Sequence, residues 1–167
     1  MRNRYYLTLS KGLLLSLIIG LALWPIWRGT PAPSLDLTDI HGKNVSLPAP
    51  GRPALVTFWA SDCATCVKEI PALIELHQRH HHRGLDIIAV AMAYDPPNRV
   101  VNLARQHSLP YTVVLDSRAT IAQAFGDVRL TPTTLLIDAQ GHIQARILGD
   151  WQLDAISARI QPWLPTP

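Results

Sequence analysis

The feature that most constrains this chain of 167 residues is Cys63-Ala64-Thr65-Cys66, which holds its only two cysteines. The pair follows an apolar run, Leu55-Val56-Thr57-Phe58-Trp59-Ala60, and precedes a helical pattern beginning Val67-Lys68-Glu69-Ile70. A thiol at the first turn of a helix meets unpaired backbone N–H groups and the positive end of the macrodipole, and both stabilise a thiolate. A second thiol one turn on can attack a mixed disulfide formed by the first. Strand, thiol pair and helix in that order point to redox chemistry, with Cys63 as nucleophile and Cys66 as resolving thiol.

Other uses of the pair fit less well. Structural zinc takes four ligands, usually from two such pairs, and there is no second CxxC. Covalent haem attachment needs His after the second Cys, where this chain has Val67. A purely structural disulfide between residues so close in sequence closes a tiny loop and stabilises little.

The formal charge of +3 is a topology signal. Arg2, Arg4, Lys11 and Arg28 lie in or beside an apolar N-terminal segment, and without them 11 basic residues face 12 acidic ones. That balance leaves no electrostatic footprint for nucleic acid. The stretch from Leu7 to Trp27 would span about 31 Å as a helix, enough for a hydrocarbon core of about 30 Å. Lys11 would snorkel to the headgroups, and Trp24 and Trp27 would lie at the far interface. The expectation is an uncleaved single-pass inner-membrane anchor over 1–29 with a cytoplasmic N-terminus. A cleaved signal peptide, with Gly20-Leu21-Ala22 as its processing site, is the alternative. Either way the remainder is exported to the periplasm, where disulfides persist.

Residues 30–34, with Pro31 and Pro33, read as a stiff linker to a single domain over 35–167. Leu35-Asp36-Leu37 and Asn44-Val45-Ser46-Leu47 alternate as a hairpin does. Ala54 to Trp59 and Leu85 to Ala93 are continuous apolar runs, as buried strands give. A helix is expected from Cys63 to about His82, kinked at Pro71 and stopped by Gly84. Further expectations are a helix over Val100 to His107, a strand over Tyr111 to Leu115, and a short helix over Ala119 to Phe125. A hairpin over Thr133 to Ile137 and His142 to Leu148 follows. The last helix runs from Gln152 to Leu164 with Asp150 as N-cap. The fold class is α/β: a mixed central sheet flanked by helices, with an N-terminal β-hairpin and an N-terminal transmembrane helix.

This order, the position of the CxxC, and the blocks Phe58-Trp59-Ala60-Ser61-Asp62-Cys63 to Pro71, Ile88-Ala89-Val90 and Thr131-Pro132-Thr133 to Asp138 resemble the thioredoxin-like fold. The nearer resemblance is to TlpA-like membrane-anchored thiol:disulfide oxidoreductases. It implies that Pro132 is cis and catalytic, and that Thr131 and Trp59 belong to the substrate-binding surface. The implied activity is reduction of protein disulfides outside the cytoplasm, as in cytochrome c or oxidase maturation. A membrane thiol transporter would be the electron donor, and no cofactor or metal is required.

Two departures from the family pattern bear on the chemistry. Asp62 precedes Cys63 where Trp is usual, and a carboxylate there opposes thiolate formation and favours a reducing couple. Thr57 stands where thioredoxin has a buried acid. Asp95, one residue from the aligned position held by Tyr94, is the nearest candidate to move the proton of the buried thiol.

The alternative reading is a copper chaperone on this scaffold using Cys63, Cys66 and a histidine, although such chaperones usually space their cysteines by three residues. A thiol peroxidase would need Thr or Ser three residues before its cysteine, and Ala60 is there. His77, His80, His81 and His82 complement the negative end of their helix, far from Cys63.

Overall fold

The computed structural model describes residues 29–165. The described residues from Pro31 onward belong to one compact unit. The expected membrane anchor over 1–29 lies, apart from Gly29, outside the described residues. Among the described residues no helix is long and apolar enough to cross a membrane.

Eight strands run β1 (Thr30–Pro31), β2 (Leu35–Thr38), β3 (Asn44–Leu47), β4 (Ala54–Trp59), β5 (Asp86–Ala91), β6 (Thr112–Leu115), β7 (Thr133–Ile137) and β8 (His142–Leu148). The α-helices are α1 (Ala64–His80), α2 (Pro97–Gln106), α3 (Thr120–Ala124) and α4 (Leu153–Ile160). The main sheet has the order β1-β8-β7-β4-β5-β6, while β2 and β3 form a separate antiparallel hairpin. The two residues Thr30 and Pro31, read from sequence as linker, form the outermost strand. Ala32 N–H donates to the Gly141 carbonyl at 2.8 Å.

β4 is buried at all six positions because both faces of the sheet are covered. It pairs parallel with β5 and antiparallel with β7. Its side chains alternate between two cores. Leu55 and Trp59 pack with Cys66, Leu73 and Leu76 of α1 and with Ile156 and Ile160 of α4. Ala54, Val56 and Phe58 pack with Leu37, Leu47, Ile121 and Phe125. Phe58 and Phe125 meet edge to face at 5.8 Å. The hairpin thus closes the second face, and Ile40 N–H donates to the Val113 carbonyl beside the edge strand β6.

Local chemistry sets the ends of the helices. α1 passes without interruption through Pro71. It tightens into a 3₁₀ turn over His81–Arg83, and Gly84 at φ +95° closes it. Pro97 occupies the first turn of α2. Asp116 lies five and six residues before the α3 amides that it accepts from, those of Ile121 and Ala122. One expectation is corrected: the N-cap of α4 is Gln152 rather than Asp150. Gln152 is the extended residue directly before the helix and so holds the N-cap position, and its side chain makes no capping hydrogen bond.

Candidate active site

Three loops converge at one end of the sheet. Parallel pairing sets Trp59 beside Ala91, so the loops leaving β4 and β5 emerge together. Antiparallel pairing sets Phe58 beside Thr133, which brings the segment before β7 to the same end. These loops carry the CxxC, the Met92–Asp95 turn and Thr131-Pro132. Ligand sites in open α/β sheets form at such carboxyl ends.

Cys63 is the N-cap of α1, and its sulfur accepts the Cys66 N–H at 3.2 Å. The two cysteines form a disulfide with Cα atoms 5.2 Å apart. Cys63 is half-buried while Cys66 is buried, 3% exposed. One sulfur is therefore presented at the helix terminus and the other is enclosed by the core.

The Thr131–Pro132 peptide bond is cis. Pro132 lacks an N–H, and its carbonyl accepts from Gly149 at 2.9 Å. Among the described residues, the N–H and C=O of Thr131 have no hydrogen-bond partner. An extended segment laid alongside Thr131 would find both groups free.

Asp95 and Asp62 have different surroundings. Asp95 is buried, and its carboxylate accepts from the Ser61 N–H at 2.5 Å and the Ser61 hydroxyl at 2.6 Å. It ties the loop after β5 to the loop that carries Cys63. Asp62 is exposed, and its side chain has no hydrogen-bond or ion-pair partner among the described residues.

Trp59 requires a correction. It is 4% exposed, so it cannot form part of a substrate-binding surface. The alternation of β4 turns its ring toward α1, where it lines a small buried cavity with Thr57, Cys66, Glu69 and Tyr111. Its indole N–H is buried without a partner.

Glu69 was not singled out from sequence. The carboxyl that lines the Cys66 cavity belongs to it, while both oxygens of Asp95 are taken by Ser61. Glu69 follows Cys66 by three residues, a spacing that puts both on one helix face, and this was the available signal. It is 7% exposed, and one carboxyl oxygen is buried without a partner. Burial pushes its pKa up to about 7; the charge of Asp150 adds to the rise and the Trp151 backbone N–H opposes it. Thr57, where thioredoxin has its acid, bonds instead to Thr134 at 3.2 Å. The acid thus reaches this cavity from the helix rather than from the strand.

The histidines lie at the other end of α1. His77 and His81 stack at 4.3 Å. Among the described residues no three His, Cys, Asp or Glu side chains gather so as to hold a metal ion.

A disulfide capping a helix, one sulfur enclosed, beside a cis-proline loop with free backbone, defines a thioredoxin-like redox protein. Comparison with known proteins agrees. The chain matches the Redoxin family over residues 28–156. It is 32% identical over 138 residues to the thiol-disulfide oxidoreductase ResA of Bacillus thuringiensis subsp. konkukian, covering 80% of this chain and 79% of that one. Among solved structures, a thioredoxin from Neisseria meningitidis is 31% identical with a TM-score of 0.74, covering 80% of this chain and 89% of that one. A thiol:disulfide interchange protein from Chlorobium tepidum is 25% identical with a TM-score of 0.74, covering 81% and 97%. The chain belongs to the Redoxin family and is a thioredoxin-superfamily thiol:disulfide oxidoreductase of the TlpA and ResA type.

Proposed function

We propose that this oxidoreductase is tethered to the inner membrane by its N-terminal segment and reduces protein disulfides in the periplasm. The observation that carries the direction of attack is the unequal exposure of the two sulfurs at the α1 terminus. In the reduced protein the Cys63 thiolate attacks one sulfur of a substrate disulfide, and the other substrate sulfur leaves as a thiolate and takes a proton. The Cys66 thiol then loses its proton and attacks the Cys63 sulfur. The substrate leaves fully reduced, and the Cys63–Cys66 disulfide forms. A dithiol donor restores the pair, and a membrane thiol transporter suits a tethered domain.

Glu69 and Thr131 support the two halves of this cycle. Glu69, titrating near neutrality in the Cys66 cavity, takes up the proton of the buried thiol. Thr131 pairs its free backbone groups with the substrate segment. The basic start and the apolar span from Leu7 to Trp27 support the anchor. The resemblance to TlpA-like proteins supports cytochrome c or oxidase maturation as the pathway.

Trapping tests the chemistry. Cys63→Ser should abolish reduction of insulin by a dithiol-supplied domain, whereas Cys66→Ser should accumulate a mixed disulfide through Cys63. Faster alkylation of Cys66 than of Cys63 in the reduced protein would reverse the assigned roles. Intact-mass measurement of the membrane fraction tests the anchor; a mature N-terminus near Leu23 in the soluble periplasm would refute it.

A further inference from the structure

A cavity of about 320 Å³ lies between α2, the turn of the β2–β3 hairpin and the outer side of β6. Its apolar walls are Ile40, Val101, Ala104, Leu109 and Val113. That volume is at the small end of the range for small-molecule sites, about 300–1,000 Å³. The neighbouring cavity at Cys66 offers about 10 Å³, too little for an organic molecule. Leu109 and Tyr111 line both. The larger cavity is thus one side chain away from the buried thiol, and none of its lining belongs to the CxxC or cis-proline loops.

Backbone hydrogen bonds hold the walls in place. The Ile40 N–H donates to the Val113 carbonyl at 2.9 Å, and the Asp39 carboxylate accepts the His41 and Lys43 N–H groups, both at 2.8 Å. α2 ends in a Schellman arrangement, in which the Leu109 N–H donates to the Ala104 carbonyl at 3.0 Å and the Ser108 N–H to the Arg105 carbonyl at 3.1 Å. Ser108 takes the left-handed conformation that this arrangement needs, with φ +49°. These carbonyls at the negative end of α2 are engaged within the turn and are not left as acceptors facing the cavity.

What the cavity does present is donors without acceptors. The side chains of Arg105, His41 and Ser108 line it and have no hydrogen-bond or ion-pair partner among the described residues. Tyr111 is 8% exposed, and its hydroxyl likewise has no hydrogen-bond partner among them. Burial pushes the Tyr111 pKa up, so the hydroxyl keeps its proton. Among the described residues no Asp or Glu lines the cavity. We propose that this cavity binds a small organic monoanion, a carboxylate on an apolar body, with the Arg105 guanidinium on the carboxylate and the apolar walls around the body. The planar guanidinium presents two parallel N–H groups that match the two carboxylate oxygens. One permanent cation suits one negative charge, and the apolar walls reward a hydrophobic body that a bare inorganic anion lacks. The site does not depend on the redox reading above.

The test uses para-fluorohydrocinnamate as the probe. Its fluorine resonance is followed against the full chain in lipid nanodiscs, with protein-free nanodiscs as the blank for partition into lipid. Saturable binding with a Kd of about 1 mM or tighter is expected for a ligand of this size. The neutral amide of the same acid should bind wild-type protein about ten-fold more weakly, the scale of one charge-assisted hydrogen bond. Arg105→Met should weaken the acid by about as much and leave the amide unaffected, a split that a folding defect would not produce. Val101→Phe, which fills the cavity and keeps Arg105, should weaken acid and amide alike. Acetate, which carries the charge without the body, should not displace the probe at equal concentration. Absence of saturable binding, equal affinity for acid and amide, or displacement by acetate would overturn the proposal. So would an acid affinity unchanged by Arg105→Met or by Val101→Phe.

Discussion

Glu69 lies one helical turn beyond Cys66, and the two side chains line one buried cavity. The carboxyl is nearly enclosed, so its charge is poorly screened and acts directly on the buried sulfur. An ionised Glu69 opposes a Cys66 thiolate, whereas a protonated Glu69 does not. Because its pKa is pushed up to about 7, the group changes charge near neutral pH.

That elevation makes stability depend on pH in a defined direction. Between about 4.5 and about 7 the native state keeps a proton that the unfolded chain has lost. Stability therefore falls as pH rises through this window. Glu69→Gln should remove the slope, with no effect near pH 4 and a gain of about 1–3 kcal/mol above pH 7. It should also lower the Cys66 thiol pKa in a Cys63→Ser background. Denaturant melts and thiolate absorbance against pH measure the two effects; an unaltered slope would mean that Glu69 is hydrated.

His80 acts in the opposite sense. Its Nε2 meets the Ser157 hydroxyl at 2.7 Å, bridging α1 to α4, and its Nδ1 is buried without a partner. Burial first, then the positive charge of Arg83, Arg79 and His82, lowers its pKa from 6.5. Below pH 6.5 the unfolded chain takes up a proton that the native state resists, so stability is lost as pH falls. His80→Gln should flatten the stability curve below pH 6.5. Thermal melts across that range check it, and an unchanged acid limb would show that His80 is not responsible.

Asp95 should matter to the site more than to the sheet. Asp95→Ala leaves the Ser61 N–H and hydroxyl without their acceptor, at a cost of about 1–3 kcal/mol. Ser61→Ala, which keeps the backbone bond, should cost about 1 kcal/mol. Loosening the loop should also alter the alkylation rate of Cys63. A double-mutant cycle measures the coupling, and additive effects would mean that the two residues act independently.

Asp62 is the side chain next to the half-buried sulfur. Its charge disfavours the thiolate formed on reduction, so Asp62→Asn should raise the reduction potential. Half a unit of thiol pKa corresponds to about 15 mV for a two-electron couple, and exposure makes this the expected ceiling. Equilibration with glutathione measures it. An unchanged potential would show that solvent screens the carboxylate fully.

The local patterns were legible in the sequence because they follow from short-range periodicity. The six buried residues of β4, the thiol pair at the start of α1, the stop at Gly84 and the β7–β8 hairpin all rest on neighbours within a few residues. The cis bond at Pro132 and the role of Thr131 follow from resemblance, since an isolated Thr-Pro carries no signal for a cis bond.

Only the tertiary structure decided which side chains share a space. Trp59 turned inward because β4 is covered on both faces, which sequence periodicity cannot orient. Asp95 was taken up by Ser61 and Glu69 joined Cys66 because pairing in the sheet and the docking of α1 set those distances. Tyr94 met Thr131 across 37 positions of sequence. Such encounters depend on how strands order in the sheet, a property of the packed chain that no local window contains.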